Sequence, residues 1–122
     1  MPQQEDRRDR SQPESLRLRE VTPAITVNDL DASLAFYRDL LGFTVKEQWE
    51  RDGKVAGAAL VAGSAHFMLQ QDDWEKGRDR PKGGAIRFWL TSSRPVDELA
   101  ADVRARGGAF ESEPADLPWG GR

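Results

Sequence analysis

The sequence contains no cysteine and only one histidine, His66. The first absence removes disulfides, thiolate metal sites and cysteine nucleophiles. The second removes any site that needs two histidines from one chain. No apolar stretch is long enough to span a bilayer, and MPQQEDRRDR at the N-terminus has no apolar run behind its charges. Neither a membrane span nor a secretory signal is therefore read, and a cytoplasmic protein is expected. Basic charge is not in excess either. The 18 Lys and Arg face 21 Asp and Glu, a formal net charge of -3, which disfavours binding to a nucleic-acid backbone. No glycine-rich phosphate loop and no Ser-His-Asp set is present. At 122 residues the chain has room for one domain.

Residues 1–20 interleave acids (Glu5, Asp6, Asp9, Glu14, Glu20) with arginines (Arg7, Arg8, Arg10, Arg17, Arg19) and offer little to bury, so a disordered charged tail is expected. A basic arm for nucleic acid is the alternative, but the interleaved acids cancel its field. VTPAITV, residues 21–27, reads as a strand with Pro23 near its start, where proline is tolerated. Asn28 and Asp29 stop the strand and offer a helix cap. Leu30, Leu34, Tyr37 and Leu41 recur at helical spacing, flanked by Phe36 and Leu40, and Gly42 ends the helix. Phe43, Val45, Glu47 and Trp49 alternate with polar residues as a second strand. Arg51-Asp52-Gly53-Lys54 is a hairpin turn, and residues 55–62 and 65–71 form two more strands around Gly63-Ser64.

The polar stretch DDWEKGRDRPKGG, residues 72–84, reads as a loop. Around Trp74 it is either solvated or a lid or dimer contact anchored by the indole. AIRFWL, residues 85–90, reads as a strand. Ser92 or Ser93 would cap a helix with Pro95 in its first turn and a buried stripe of Val96, Leu99, Ala100 and Val103. Gly107-Gly108 stops that helix, and residues 109–112 begin another strand. A β-α-β order thus occurs twice, and the expected class is α+β.

PAITVNDLDASLAFYRDLLGF, residues 23–43, resembles the opening of a vicinal-oxygen-chelate module through Asp29, Ser33, Phe36-Tyr37 and Leu41-Gly42-Phe43. AIRFWL, VDELAADVRARGGAF and PWG resemble the second half of that superfamily. It includes glyoxalase I, bleomycin-resistance proteins, fosfomycin-resistance enzymes and extradiol dioxygenases, many chemistries on one scaffold. The resemblance implies paired βαβββ modules whose curved mixed sheet forms a cup. Module one would cover residues 21–71, a linking loop 72–84 and module two 85–122. It also implies that module two lacks its last two strands, through truncation or completion by another chain. Because family members pair modules across subunits, a homodimer is expected. Carried over by position, three of the family's metal ligands fall at Thr22, Leu69 and Ala85, which do not supply the donors a divalent ion needs, and the last, on the final strand, would fall beyond Arg122. No metal and no other cofactor is therefore expected. His66, three positions from Leu69 in a strand, should lie on the opposite face and outside the cup.

With Ile25 and Val27 under the helices, alternation turns Thr22, Ala24 and Thr26 into the cup. The second strand would add Val45, Glu47 and Trp49, the fourth Phe67, Leu69 and Gln71, and module two Ala85, Arg87 and Trp89. The expected ligand-binding set is Thr26, Glu47, Trp49, Phe67, Leu69, Gln71, Arg87 and Trp89. Its lining suits a small organic molecule with an aromatic or apolar body and an anionic group for Arg87. Trp49, Phe67 and Trp89 equally suit ordinary core packing, and Arg87 suits an ion pair with Glu47. Three functions follow: metal-independent small-molecule binding as in bleomycin-resistance-like proteins, a glyoxalase-type lyase or isomerase using either a metal bound at shifted positions or metal-free acid-base chemistry through Glu47, or an inactive truncated paralogue that only dimerises. No catalytic residue is assigned.

Overall fold

The computed structural model describes residues 17–122. Most of the charged tail expected over residues 1–20, namely residues 1–16, lies outside the described residues. The elements are β1 (Ala24–Val27), α1 (Leu30–Leu34) continuing as a wider π-helical turn over Ala35–Leu40, β2 (Thr44–Arg51), β3 (Lys54–Ala62), β4 (Ala65–Gln71) and α2 (Val96–Ala105). The four strands form one sheet in the order β1-β4-β3-β2, with β1 parallel to β4 and the other pairs antiparallel.

Local chemistry places these elements. The Asp29 carboxylate accepts from the Ala32 amide at 3.1 Å, capping α1. The helix then widens, since the Leu41 amide donates to the Phe36 carbonyl at 3.0 Å, one residue further back than in an α-helix. Gly42, at φ +93°, takes the left-handed conformation that ends it. In the β2–β3 hairpin, Asp52 and Gly53 have φ values of 54° and 79°, as a type I′ turn requires. The core lies between α1 and the sheet: Leu30, Leu34 and Phe43 pack on Ala58, Leu60, Phe67 and Leu69, with Tyr37 and Leu41 at the margin. Aromatic contacts continue it outward in a chain, Tyr37 to Phe43 (5.8 Å between centroids), Phe43 to Phe67 (5.6 Å) and Phe67 to Phe88 (5.4 Å).

The second half departs from the pattern of its residues. Residues 85–90 have no ladder partner among the described residues and form no strand, and the same holds for residues 109–112. AIRFWL has the composition of a strand, but a strand is held by its neighbour's hydrogen bonds. Ile86, Trp89 and Leu90 are left exposed. Pro95, rather than a serine, stands at the start of α2, and Ser92 Oγ instead accepts from the Arg94 amide at 2.9 Å. The apolar stripe of α2 faces Phe110, Pro114 and Leu117 across a groove of about 410 Å³. Among the described residues no helix is long and apolar enough to cross a membrane.

Candidate functional site

Register decides which side chains share a face. Leu69 lies beside Ile25 and Ala58, Phe67 beside Leu60, and Gln71 beside Val27. This row lies under α1, where Leu69 has no exposure at all (0 %). The alternate row faces away from α1: Ala24 beside Met68 and Thr26 beside Gln70 in one direction, Ala59 beside Met68 and Val61 beside His66 in the other. Among the described residues no helix packs over that open face.

Glu47 and Trp49 reach the open face through a bulge. The ladder shifts between Val45 and Glu47, so Val45 stays with Leu60 in the core while Glu47 pairs with Ala59 and Trp49 with Gly57. The Trp49 indole lies against the Gly57 backbone; a Cβ on Gly57 would come within 2.2 Å of the ring. Glycine is required here by close approach rather than by its φ angle.

Of the expected ligand-binding residues, Thr26, Glu47 and Trp49 are therefore brought to one surface. Phe67 and Leu69 are not: both belong to the core under α1. The expected face of β4 is corrected by its parallel register with β1, which puts Leu69 on the same side as Ile25. Gln71 also turns toward α1, and its amide is spent on the main chain. Its Oε1 accepts from the Leu30 amide at 2.9 Å and its Nε2 donates to the Asn28 carbonyl at 2.7 Å, closing the turn from β1 into α1. Arg87 and Trp89 sit exposed in residues 85–90, and among the described residues no ion pair joins Arg87 to Glu47. His66 and Leu69 do lie on opposite faces, but Leu69 is the one that leaves the open face. His66 stays on it, with Nε2 3.5 Å from the Glu20 carboxylate. Met68, Gln70 and His66 are thus the open-face residues that the sequence reading missed.

Beyond β4 the chain makes a built polar corner. Asp72 is a buried carboxylate, 5 % exposed. It accepts from Arg80 Nη2 and Lys82 Nζ, both at 2.9 Å, and from the Trp74 amide at 3.1 Å. The Lys82 hydrogen bond, aided by the Trp74 amide and Arg80 and opposed by desolvation, lowers its pKa from 3.8 to about 2. Trp74 itself holds a left-handed φ of 66°, with the Arg78 guanidinium 4.6 Å from its ring centroid. Because the folded pKa is the depressed one, the stabilisation is full above the ordinary carboxylate range, fades as pH falls from about 3.8 toward 2, and is gone below that. Asp72→Asn should therefore lower the melting temperature at pH 7, and the gap to the unsubstituted protein should narrow as pH falls through the carboxylate range and close only below pH 2. A gap independent of pH would assign the loss to something other than the charge.

A family model for the Glyoxalase/Bleomycin resistance protein/Dioxygenase superfamily matches residues 18–122. The chain belongs to this superfamily. Its fold is that of the superfamily's solved members. One from Sphaerobacter thermophilus shares 26 % identity at a TM-score of 0.59, over 86 % of this chain and 85 % of its own. TnmS3, an antibiotic binding protein from a Streptomyces species, shares 21 % identity at a TM-score of 0.60, over 86 % and 84 %. A virulence protein of Salmonella typhimurium is 23 % identical over 93 residues, 75 % of this chain. The chain spans 62 % of that relative's length.

The superfamily's metal-dependent members raise the question whether these residues would hold an ion. At the corresponding positions Thr22 offers a lone exposed hydroxyl, Leu69 is enclosed beneath α1, and Ala85 has no donor. Met68, the open-face neighbour of Leu69, brings a thioether, a weak ligand for hard or borderline divalent ions. Among the described residues no three His, Cys, Asp or Glu converge. The donor set does not fit the group.

Proposed function

We propose that the protein binds a small molecule with an aromatic or apolar body on the open face of the sheet, without a metal. The observation that carries this reading is the Trp49 indole lying on Gly57, on a face that no helix covers among the described residues. Around it are Ala59, Met68 and Val61, with Thr26, Gln70, His66 and Glu47 as polar neighbours on the same face. A flat apolar wall with a few oriented polar groups suits recognition of a planar ligand. That TnmS3 is an antibiotic binding protein on the same fold supports the reading. No observation on the open face favours a glyoxalase-type lyase or isomerase.

We extend the proposal to a homodimer in which residues 85–122 act as a second module. Ile86, Trp89 and Leu90 form an exposed apolar run whose main chain is unpaired among the described residues, and a second copy could cover it. A panel of planar aromatic compounds titrated against tryptophan fluorescence tests the binding, with sedimentation velocity on the same samples. At least one compound should quench saturably, EDTA should leave its affinity unchanged, and Trp49→Ala should weaken it by about tenfold, as loss of one well-buried aromatic contact does. No response from any compound, or full affinity in Trp49→Ala, would sink the binding reading. Stoichiometric Zn, Ni, Mn or Fe in purified protein would sink its metal independence. Monomer at all concentrations would sink the dimer alone.

A further inference from the structure

Where β1 and β4 run out, the open face ends in a cavity of about 200 Å³. Thr26 and Gln70 supply its strand wall, Arg51 its hairpin wall, and Lys76 and Arg80 its loop wall, with Asp72 and Asp73 beside them. Three cations thus meet two carboxylates, and Lys82 adds a fourth positive charge on Asp72, so positive charge is in excess. Asp72 is held by Arg80, Lys82 and the Trp74 amide, and Asp73 Oδ1 accepts from the Glu75 amide at 3.0 Å. Arg51 and Lys76 have no ion-pair partner among the described residues.

The decisive atom is Arg80 Nε. Its N–H is buried and has no acceptor among the described residues, although the same guanidinium is anchored to Asp72 through Nη2. Buried donors are almost always paired, because an unpaired one loses its water without recompense. Here the orphan donor belongs to a side chain lining a cavity that has room for a few atoms and an excess of positive charge. The wall is firm: Thr26 and Gln70 are cross-strand neighbours in the parallel ladder, and the Asp72 links pin the loop to it.

We propose that this cavity is a small-oxyanion site, taking a carboxylate or phosphate group that is either free or the anionic end of a larger molecule. Arg51 and Lys76 supply charge, Arg80 Nε–H donates in the plane of its guanidinium, and the Thr26 hydroxyl and Gln70 amide complete the donor set. The site does not depend on an apolar ligand binding over Trp49, and either proposal can fail alone.

The test is the ¹⁵N spectrum of the arginine Nε–H groups in the full chain, titrated with sodium phosphate, sodium acetate or sodium chloride at matched ionic strength. The Arg80 resonance should move saturably with at least one oxyanion and not with chloride. Response to phosphate alone assigns a phosphate site, to acetate alone a carboxylate site, and to both a general oxyanion site. The double variant Arg51→Gln, Lys76→Gln removes two exposed charges, should keep the circular dichroism of the folded chain, and should bind about tenfold more weakly. Lys54→Gln, next to Arg51 but outside this cavity, should bind as before. An Arg80 resonance that stays fixed, or that drifts equally with chloride, would overturn the assignment. So would a double variant weakened by less than about threefold, since its two charges would then carry little of the binding.

Discussion

Leu69→Ala should lower the unfolding free energy by about 2–5 kcal/mol, the range for a leucine truncated inside a close-packed core. The upper half of that range is expected. Leu69 is fully enclosed, stands between Ile25 on β1 and Ala58 on β3, and lies in the same core as Leu30 and Leu34 of α1. Its neighbours are strands on both sides, which cannot move in to close the space without breaking ladder hydrogen bonds. Urea denaturation reads the effect as a fall in midpoint at unchanged slope. Met68→Ala is the matched control, one residue along and half-buried on the open face. It should cost about 1 kcal/mol, as substitutions outside a core commonly do. If Met68→Ala proved the more damaging of the two, the register of β1 against β4 would have to be moved by one residue.

That pair of residues also shows where the sequence stops being informative. The helix of β-α-β, the Asp-Gly hairpin and the three strands after the helix are legible because each has a local signature: a 3.6-residue stripe, a turn needing positive φ, or alternation. The face of β4 has none. Phe67, Met68 and Leu69 are all apolar, so a period of two assigns neither side, and only pairing with β1 decides. The bulge in β2 is hidden in the same way. Val45, Glu47 and Trp49 alternate cleanly, yet one extra residue in the ladder separates Val45 from the other two. The type and position of Gln71 suit a polar ligand contact, while its partners are main-chain groups of Val27, Asn28, Leu30 and Asp72, invisible to local pattern.

Residues 72–84 hide the opposite kind of information. Dense charge of both signs reads as solvated surface, and most of the stretch is exposed. Asp72 is buried within it because Arg80 and Lys82 fold back over it from eight and ten residues away. Composition counts these three charges but does not pair them. The pairing is what turns a loop into a firm wall, and what leaves one edge of Arg80 without an acceptor among the described residues.

Gly57→Ala is the second large effect, and it reports on the open face rather than the core. The new methyl would start 2.2 Å from Trp49 Cε2 and Cζ2, far inside van der Waals contact. Either the indole swings off the sheet or the β2–β3 ladder opens, and overpacking of this kind costs about 1–3 kcal/mol. Elsewhere in a strand the same replacement would be mildly favourable, because alanine has less backbone freedom to lose than glycine. The sign therefore depends on Trp49, and a double-mutant cycle isolates that dependence. In a Trp49→Ala background the clash is gone, so adding Gly57→Ala should be neutral or slightly stabilising. The coupling energy should then equal about 1–3 kcal/mol, nearly the whole cost of the single substitution. Tryptophan emission of Gly57→Ala should also shift to the red as the indole meets water. Equal costs in both backgrounds would mean that Gly57 is required for its own backbone, and that the indole does not lie on it. With that, the flat wall proposed for ligand binding would lose its floor.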